Sequence, residues 1–195
     1  YNLIVSAGSN GTTIGSGTFP HGAQATISAT PEAGYEFAGW IGAGISDVNA
    51  STTTIEMTQD GNVSASFAIR QFTLTLTATE GGSVTGSGTY DYNSTTIIGA
   101  TPNLGYDFTG WTGAGVSNSS EVNATVHMTI DRNVTANFQV KTYLLTIAST
   151  GGGSAIGTGT FAYGTDANIS ATPATGYVFA GWTGDGVADL NSSVT

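Results

Sequence analysis

The chain repeats itself every 71 residues, and this internal repeat constrains its architecture more than any single residue does. Tyr1, Phe72 and Tyr143 open the three copies. Proline and tryptophan recur in fixed slots, at Pro31, Pro102 and Pro173 and at Trp40, Trp111 and Trp182. The period predicts two complete domains, 1–71 and 72–142, and an incomplete third, 143–195. A unit of this size can hold a small core of its own, so we expect modules joined end to end. Three near-equal units favour a role in spanning distance or in multivalent binding over catalysis at a single site.

The composition excludes several classes of partner. Lys and Arg total three against thirteen Asp and Glu, for a net charge of −10. Such a chain cannot neutralise a run of phosphates, so we expect no nucleic acid and no anionic membrane as partner. Charged residues make up only 8% of the chain, and there is no cysteine. No apolar run approaches the length of a membrane span, and no signal-peptide pattern is present. Because the chain stops part-way through the third copy, we interpret it as a portion of a longer protein.

The local periodicity is two, which is typical of half-buried strands. Val63, Ala65 and Phe67, for example, alternate with polar neighbours. No stretch has helical spacing of apolar residues, so we predict an all-β fold without a long helix. In the first repeat we predict six strands, near Asn2–Ala7, Thr12–Phe19, Ala25–Thr30, Tyr35–Ile41, Thr53–Thr58 and Asn62–Phe67.

The joints between repeats are short and contain neither Gly nor Pro. They span Ala68–Gln71 and Gln139–Thr142. Each joint contains an apolar residue followed by a basic one, Ile69 and Arg70 in the first joint and Val140 and Lys141 in the second. A flexible tether would be rich in Gly and Ser. We therefore expect stiff joints, with Ile69 and Val140 packed between units, in a rod that gains roughly 30–40 Å per repeat.

Two sequence frames carry a resemblance to a known family. The first is G-Y-x-F-x-G-W, at Gly34–Trp40 and its equivalents, and the second is D-x-N-V-[ST]-A-x-F, at Asp60–Phe67 and Asp131–Phe138. Together they resemble the divergent branch of the internalin-type B-repeat family, over nearly the whole chain. The resemblance implies β-grasp-like modules on secreted or surface-anchored proteins, with spacer, adhesive or assembly roles and no catalytic residue. With the strand pattern, we expect modules that are either β-grasp-like or small β-sandwiches. The third repeat departs from the family because its closing strands are missing.

The three tryptophans are candidate contact residues. Plain alternation from Tyr35 and Phe37 places Trp40 on the opposite, outer strand face, where an indole can bind sugar or a partner. Gly39 can instead mark a bulge that turns Trp40 inward. We favour a core role for Trp40, Trp111 and Trp182, and keep a contact surface as the alternative.

Asparagine usage is the second candidate signal. Nine of the twelve asparagines begin an N-x-S/T sequon, whereas chance would give about three. The nine are Asn10, Asn49, Asn62, Asn93, Asn118, Asn123, Asn133, Asn168 and Asn191. We interpret them as N-glycosylation sites. The alternative is that they build a neutral hydrophilic surface, and for Asn62 and Asn133 that they serve turn geometry.

Metal-binding and catalytic patterns are weak. Asp185 and Asp189 could offer oxygen ligands to Ca²⁺, but Ala43 and Ala114 replace Asp185 in the other repeats. No nucleophile motif and no recurring close carboxylate pair is present. We therefore expect no cofactor and no enzymatic activity.

The sequence thus predicts an extracellular or cell-surface structural protein, either a rod-like stalk or the subunit of a filament or sheath. Its expected partners are further copies of itself, other surface proteins, or glycans. A carbohydrate-binding or adhesin module is one alternative, and a spacer attached to a secreted enzyme outside this segment is another. The unpaired edge in repeat three, beside Ala171–Gly181, could accept a strand from a neighbouring chain. Continuation of the polypeptide is the simpler expectation.

Overall fold

The computed structural model describes residues 1–195, which form β-strands and turns and no helix. The strands of the first repeat are β1 (Asn2–Ala7), β2 (Gly11–Ile14), β3 (Gly17–Thr18), β4 (Ala23–Pro31), β5 (Tyr35–Ile41), β6 (Thr52–Met57) and β7 (Gly61–Ile69). Those of the second are β8 (Gln71–Ala78), β9 (Gly82–Thr85), β10 (Gly88–Asp91), β11 (Ser94–Pro102), β12 (Tyr106–Thr112), β13 (Val116–Ser117), β14 (Asn123–Met128) and β15 (Arg132–Val140). The third has β16 (Thr142–Leu145), β17 (Gly153–Ile156), β18 (Gly159–Ala162) and β19 (Ser170–Pro173). The predicted all-β tandem-repeat architecture is confirmed.

Each complete repeat consists of two sheets that enclose one core. In the first repeat a four-stranded sheet has the order β3-β1-β7-β5 and a three-stranded sheet the order β2-β4-β6. The second repeat repeats this plan with β10-β8-β15-β12 and β13-β14-β11-β9. Buried residues from both sheets form one cluster in each repeat. Of the two expected arrangements, this is the small sandwich.

The first and last strands of a repeat are neighbours in the centre of the larger sheet. β1 and β7 pair in parallel from Leu3 with Gly61 to Ala7 with Ala65, and β8 and β15 pair in the same way. The Asp that opens the D-x-N-V frame fastens this pair, since Asp60 accepts the backbone N–H of Asn2 at 2.7 Å. Asp131 accepts that of Thr73 at the same distance. A repeat is therefore closed only when its own last strand is in place.

One predicted strand is wrong in its extent. The expected strand Thr12–Phe19 is two strands, because β2 pairs with β4 in one sheet and β3 pairs with β1 in the other. The chain changes sheets at Gly15 and Ser16. There the Ser16 hydroxyl accepts the backbone N–H of Val5 at 2.9 Å, in place of a backbone carbonyl. Ser87 does the same for Leu76 in the second repeat, so the sandwich corner is built by a side chain.

Buried and exposed residues alternate along the strands, as the sequence pattern predicts. The largest fully buried side chains are Leu3, Ile27, Met57, Leu74, Ile98, Met128, Val63, Val126 and Val134, all in the first two repeats. In the third repeat only Ile169 is buried. Its strands form two separate pairs, β16 with β18 and β17 with β19. The third repeat therefore has the plan of the others without their closed core.

Candidate functional site

The first two tryptophans lie in the core. Trp40 and Trp111 are each 5% exposed. Their strands bulge immediately before them, between Phe37 and Gly39 and between Phe108 and Gly110. Gly39 has a φ of 143°, and the extra residue places Phe37 and Trp40 on the same inner face. The bulge resets the alternation and turns Trp40 and Trp111 inward, so neither indole lies on the outer strand face.

Each indole also anchors the long loop that follows it. The Nε1–H donates to the carbonyl ten residues later: Trp40 to Ala50 at 3.0 Å, Trp111 to Glu121 at 3.0 Å and Trp182 to Ser192 at 2.9 Å. This bond satisfies the one polar group of a buried indole. The loop after β5 or β12 is thereby tied to the core at its far end.

Trp182 keeps the same bond but remains half-buried. It packs against Phe179 with ring centroids 5.4 Å apart, as its equivalents do. Its orientation is therefore that of a core tryptophan, and its exposure comes from the open sheet of the third repeat. Trp182 is the most exposed of the three tryptophans.

The sequon asparagines lie on the outside. Eight of the nine are exposed and Asn10 is half-buried. None of their side-chain amides makes a hydrogen bond within the chain. Asn137, which is outside any sequon, donates to the Gly110 carbonyl at 3.0 Å and to the Thr112 hydroxyl at 3.2 Å. Three sequon residues have a backbone reason to be asparagine, since Asn10, Asn93 and Asn118 have positive φ.

The loop that each tryptophan anchors carries a sequon in every repeat. Asn49 and Asn191 share a slot, and the backbone N–H of each donates to a carboxylate two residues earlier, Asp47 or Asp189, at 2.9 Å. In the second repeat the sequon begins at Asn118, two positions earlier in the same loop. The loop therefore keeps a sequon although its position shifts.

The joints between repeats are one residue long. Arg70 separates β7 from β8, and Lys141 separates β15 from β16. The backbone of each bridges two repeats. The N–H of Arg70 donates to Gly34 behind it and its carbonyl accepts from Tyr92 ahead of it, both at 2.8 Å. Lys141 repeats these bonds with Gly105 and Tyr163, again at 2.8 Å.

A tyrosine from the next repeat fills each joint. The Tyr92 ring lies against Gly34, where any side chain would overlap it, and the Tyr163 ring lies against Gly105 in the same way. Ile69 and Val140, expected to pack between the units, are 36% and 37% exposed and are only partly covered. Lys141 also forms an exposed ion pair with Asp107 at 3.5 Å, a contact worth little in water. The recurrence of Tyr92 and Tyr163 in one slot, opposite a glycine slot, was the sequence signal for this contact.

Of the two acidic residues considered for calcium, Asp189 holds the backbone of its own turn. The Asp189 carboxylate accepts the N–H of Asn191 and that of Ser192, at 2.9 and 3.3 Å. Asp185 is exposed in a turn. Nowhere do three His, Cys, Asp or Glu side chains come together.

The chain contains no helix able to cross a membrane. No curated protein and no solved structure matches it. The family model described as the divergent InlB B-repeat domain matches residues 1–71, 72–142 and 143–195. Domains of this family are non-catalytic repeat modules, and the family points to surface-associated proteins. This match confirms the resemblance carried by the two sequence frames, and the chain belongs to the divergent InlB B-repeat family.

Proposed function

We propose that this chain is a non-enzymatic, N-glycosylated structural segment of an extracellular protein, in which stiffly joined repeats form a rod. The rod serves as a stalk or as the subunit of a surface filament or sheath. One observation carries the proposal: each joint is a single residue whose backbone bonds to both neighbours while a tyrosine fills the gap. A joint so built holds one repeat at a fixed angle to the next.

The outer faces of the sheets fit a role in lateral packing. They carry hydroxyl groups that already bond to one another, as Ser28 does with Thr52 at 2.9 Å and Thr77 with Thr135 at 2.7 Å. Such a surface offers many weak polar contacts. We propose other copies of the chain, other surface proteins or glycans as its partners. The function needs no cofactor.

Small-angle X-ray scattering should show an extended particle. A compact domain of this length would have a radius of gyration of about 16 Å, and three units of 30–40 Å in line would have roughly 30 Å. The matched control carries a Gly-Ser insertion after Arg70 and after Lys141, which should broaden the distance distribution. A compact particle, or one that the insertions leave unchanged, would contradict the rod.

Glycan attachment supplies the second test. The side-chain amides of the sequon asparagines are exposed and make no hydrogen bond within the chain, as a glycan acceptor requires. The anchored loop after Trp40 presents Asn49 away from the core. We expect Ser51→Ala to abolish the modification at Asn49, because it destroys the sequon while the asparagine remains. Ser51→Thr should preserve it. Both changes lie at an exposed side chain, so folding should be equal.

The measurement is glycopeptide mass spectrometry on the three proteins, made in a host with N-linked glycosylation. Intact mass should exceed the 19.6 kDa of the polypeptide for all three proteins, and the modified Asn49 glycopeptide should be missing only from Ser51→Ala. An unmodified Asn49 in the parent chain and in Ser51→Thr would reject this acceptor. Unmodified asparagines throughout would reject the glycosylated surface as a whole, and would leave the rod to stand on the scattering result.

A further inference from the structure

The outer face of the larger sheet in the first repeat carries two exposed isoleucines. Ile4 of β1 is 52% exposed and Ile41 of β5 is 65% exposed. The other repeats hold threonine in both slots, at Thr75 and Thr112 in the second and at Thr146 and Thr183 in the third. Only the first repeat therefore has apolar surface at these two places.

The same face of the second repeat is built from bonded hydroxyl groups. The Asn137 amide donates to the Thr112 hydroxyl at 3.2 Å, and the hydroxyls of Thr77 and Thr135 are 2.7 Å apart. Threonines of this kind suit a face that meets water. An isoleucine in the same slot leaves aliphatic surface in water, and covering that surface is favourable. The face of the first repeat is therefore built to be covered.

A sequon lies between the two isoleucines on the central strand β7. The strand register pairs Ile4 with Asn62 and Ile41 with Ser64, the first and last residues of that sequon. Side chains two residues apart on a strand point to the same face, and neighbouring strands lie about 5 Å apart. Asn62 is exposed. A group attached to its amide therefore starts one strand spacing from Ile4.

Backbone geometry gives no reason for asparagine at this position. Asn62 and its equivalent Asn133 lie inside β7 and β15, and neither has the positive φ that favours asparagine at Asn10. Asparagine is depleted in strands. The turn role considered for Asn62 and Asn133 is therefore not what their backbone requires, and the side chain is the feature that the position presents.

A pyranose ring fits the surface beside Asn62. One face of such a ring consists of C–H groups, and its hydroxyl groups project around the rim. The C–H face removes apolar area of an isoleucine from water. The rim hydroxyls meanwhile keep their bonds to water or to the neighbouring Ser64 hydroxyl. The pairing of an aliphatic side chain with a serine on one face matches both parts of a sugar.

We propose that the first sugar of an N-linked glycan on Asn62 packs on this face, with its C–H surface against Ile4, and that the glycan continues over Ser64 towards Ile41. The inference rests on the proposed N-glycosylation and states what the glycan does at this site. It covers the pair β1 and β7, which closes the repeat, and so stabilises the first repeat. A glycan on Asn133 lies beside Thr75 and has no such surface to cover.

The test compares the whole chain with Asn62→Gln and with Asn133→Gln, all made in a host with N-linked glycosylation. Each change removes one glycan from an exposed strand position and leaves every other sequon in place. Amide hydrogen exchange, read for each repeat separately, is the measurement. We expect Asn62→Gln to speed exchange in the first repeat about fivefold. Asn133→Gln should change exchange in the second repeat by less than about twofold.

Ile4→Thr is the reciprocal change, because threonine occupies this slot in the other repeats. With Ile4→Thr present, removal of the Asn62 glycan should no longer speed exchange in the first repeat. Nuclear Overhauser contacts from the sugar ring protons to the Ile4 methyl groups should appear in the parent chain. They should be absent from Asn62→Gln.

Glycopeptide mass spectrometry on the same samples separates the two ways of failing. A bare Asn62 in the parent chain would overturn both its glycosylation and this inference. An occupied Asn62 without contacts to Ile4, or with equal effects of Asn62→Gln and Asn133→Gln, would overturn the inference alone. Concentration-dependent shifts of the Ile4 and Ile41 methyl signals in the glycosylated chain would also overturn it, since they would show that a second copy covers the face.

Discussion

Trp111→Ala should lower the free energy of unfolding of the second repeat by about 3–5 kcal/mol. The indole is 5% exposed and packs against Phe108 at 5.7 Å, so truncation leaves a large cavity. It also removes the bond to the Glu121 carbonyl, which releases the following loop. A domain of this size has only about 4–11 kcal/mol in total, so the second repeat should be close to unfolding at room temperature.

Chemical denaturation followed by the nuclear magnetic resonance signals of individual repeats measures this loss, because a chain of several domains is not expected to unfold in one two-state transition. Leu104→Ala is the control, because Leu104 is 84% exposed and its truncation should change stability by no more than about 0.5 kcal/mol. A loss below about 1 kcal/mol for Trp111→Ala would show that the indole is not a core residue.

Gly105→Val should loosen the joint between the second and third repeats. Gly105 has a φ of 84°, which costs a β-branched residue about 1–3 kcal/mol. A side chain there would also overlap the Tyr163 ring, so the tyrosine must leave the joint. The expected result is a broader distance distribution in scattering and faster proteolysis near Lys141.

The third repeat provides a matched control for this change. Gly176 has the same slot and the same φ of 84°, but no atom would contact its added side chain. Gly176→Val therefore reports backbone strain alone, and Gly105→Val reports strain plus the lost joint. When Tyr163→Ala and Gly105→Val are combined, their effects on the scattering distance distribution should be less than additive, since either change removes the same contact. Equal scattering from Gly105→Val and Gly176→Val would show that the tyrosine does not hold the joint.

The alternative function, an adhesin module, loses support at two of its three candidate contact tryptophans. Trp40 and Trp111 are buried, so stacking platforms cannot recur along the rod through them. The accessible surface of Trp182 lies in the third repeat, where its indole N–H is already bonded to the Ser192 carbonyl. An attached enzyme elsewhere in a longer chain stays compatible with the proposed spacer role.

The strand positions and the repeat architecture could be predicted from the sequence. Alternation of apolar and polar residues is a local property, so β1 and β5 have the predicted ends and β7 differs by one or two residues. The sequons are local as well, although Asn62, Asn123 and Asn133 lie within β7, β14 and β15 and not in turns. The two sequence frames that identify the family could be recognised for the same reason, because each is a short contiguous motif.

The tertiary structure decided the features that depend on distant parts of the chain. The direction of Trp40 depends on a bulge against β7, and the role of Asp60 depends on a strand that begins 58 residues earlier. The joint depends on Tyr92 meeting Gly34, a contact between two different repeats. A sequence by itself determines which segments alternate and where they turn, because those are short-range preferences. Which strand is adjacent to which, and which side chain fills the space between, is determined by packing across the whole unit.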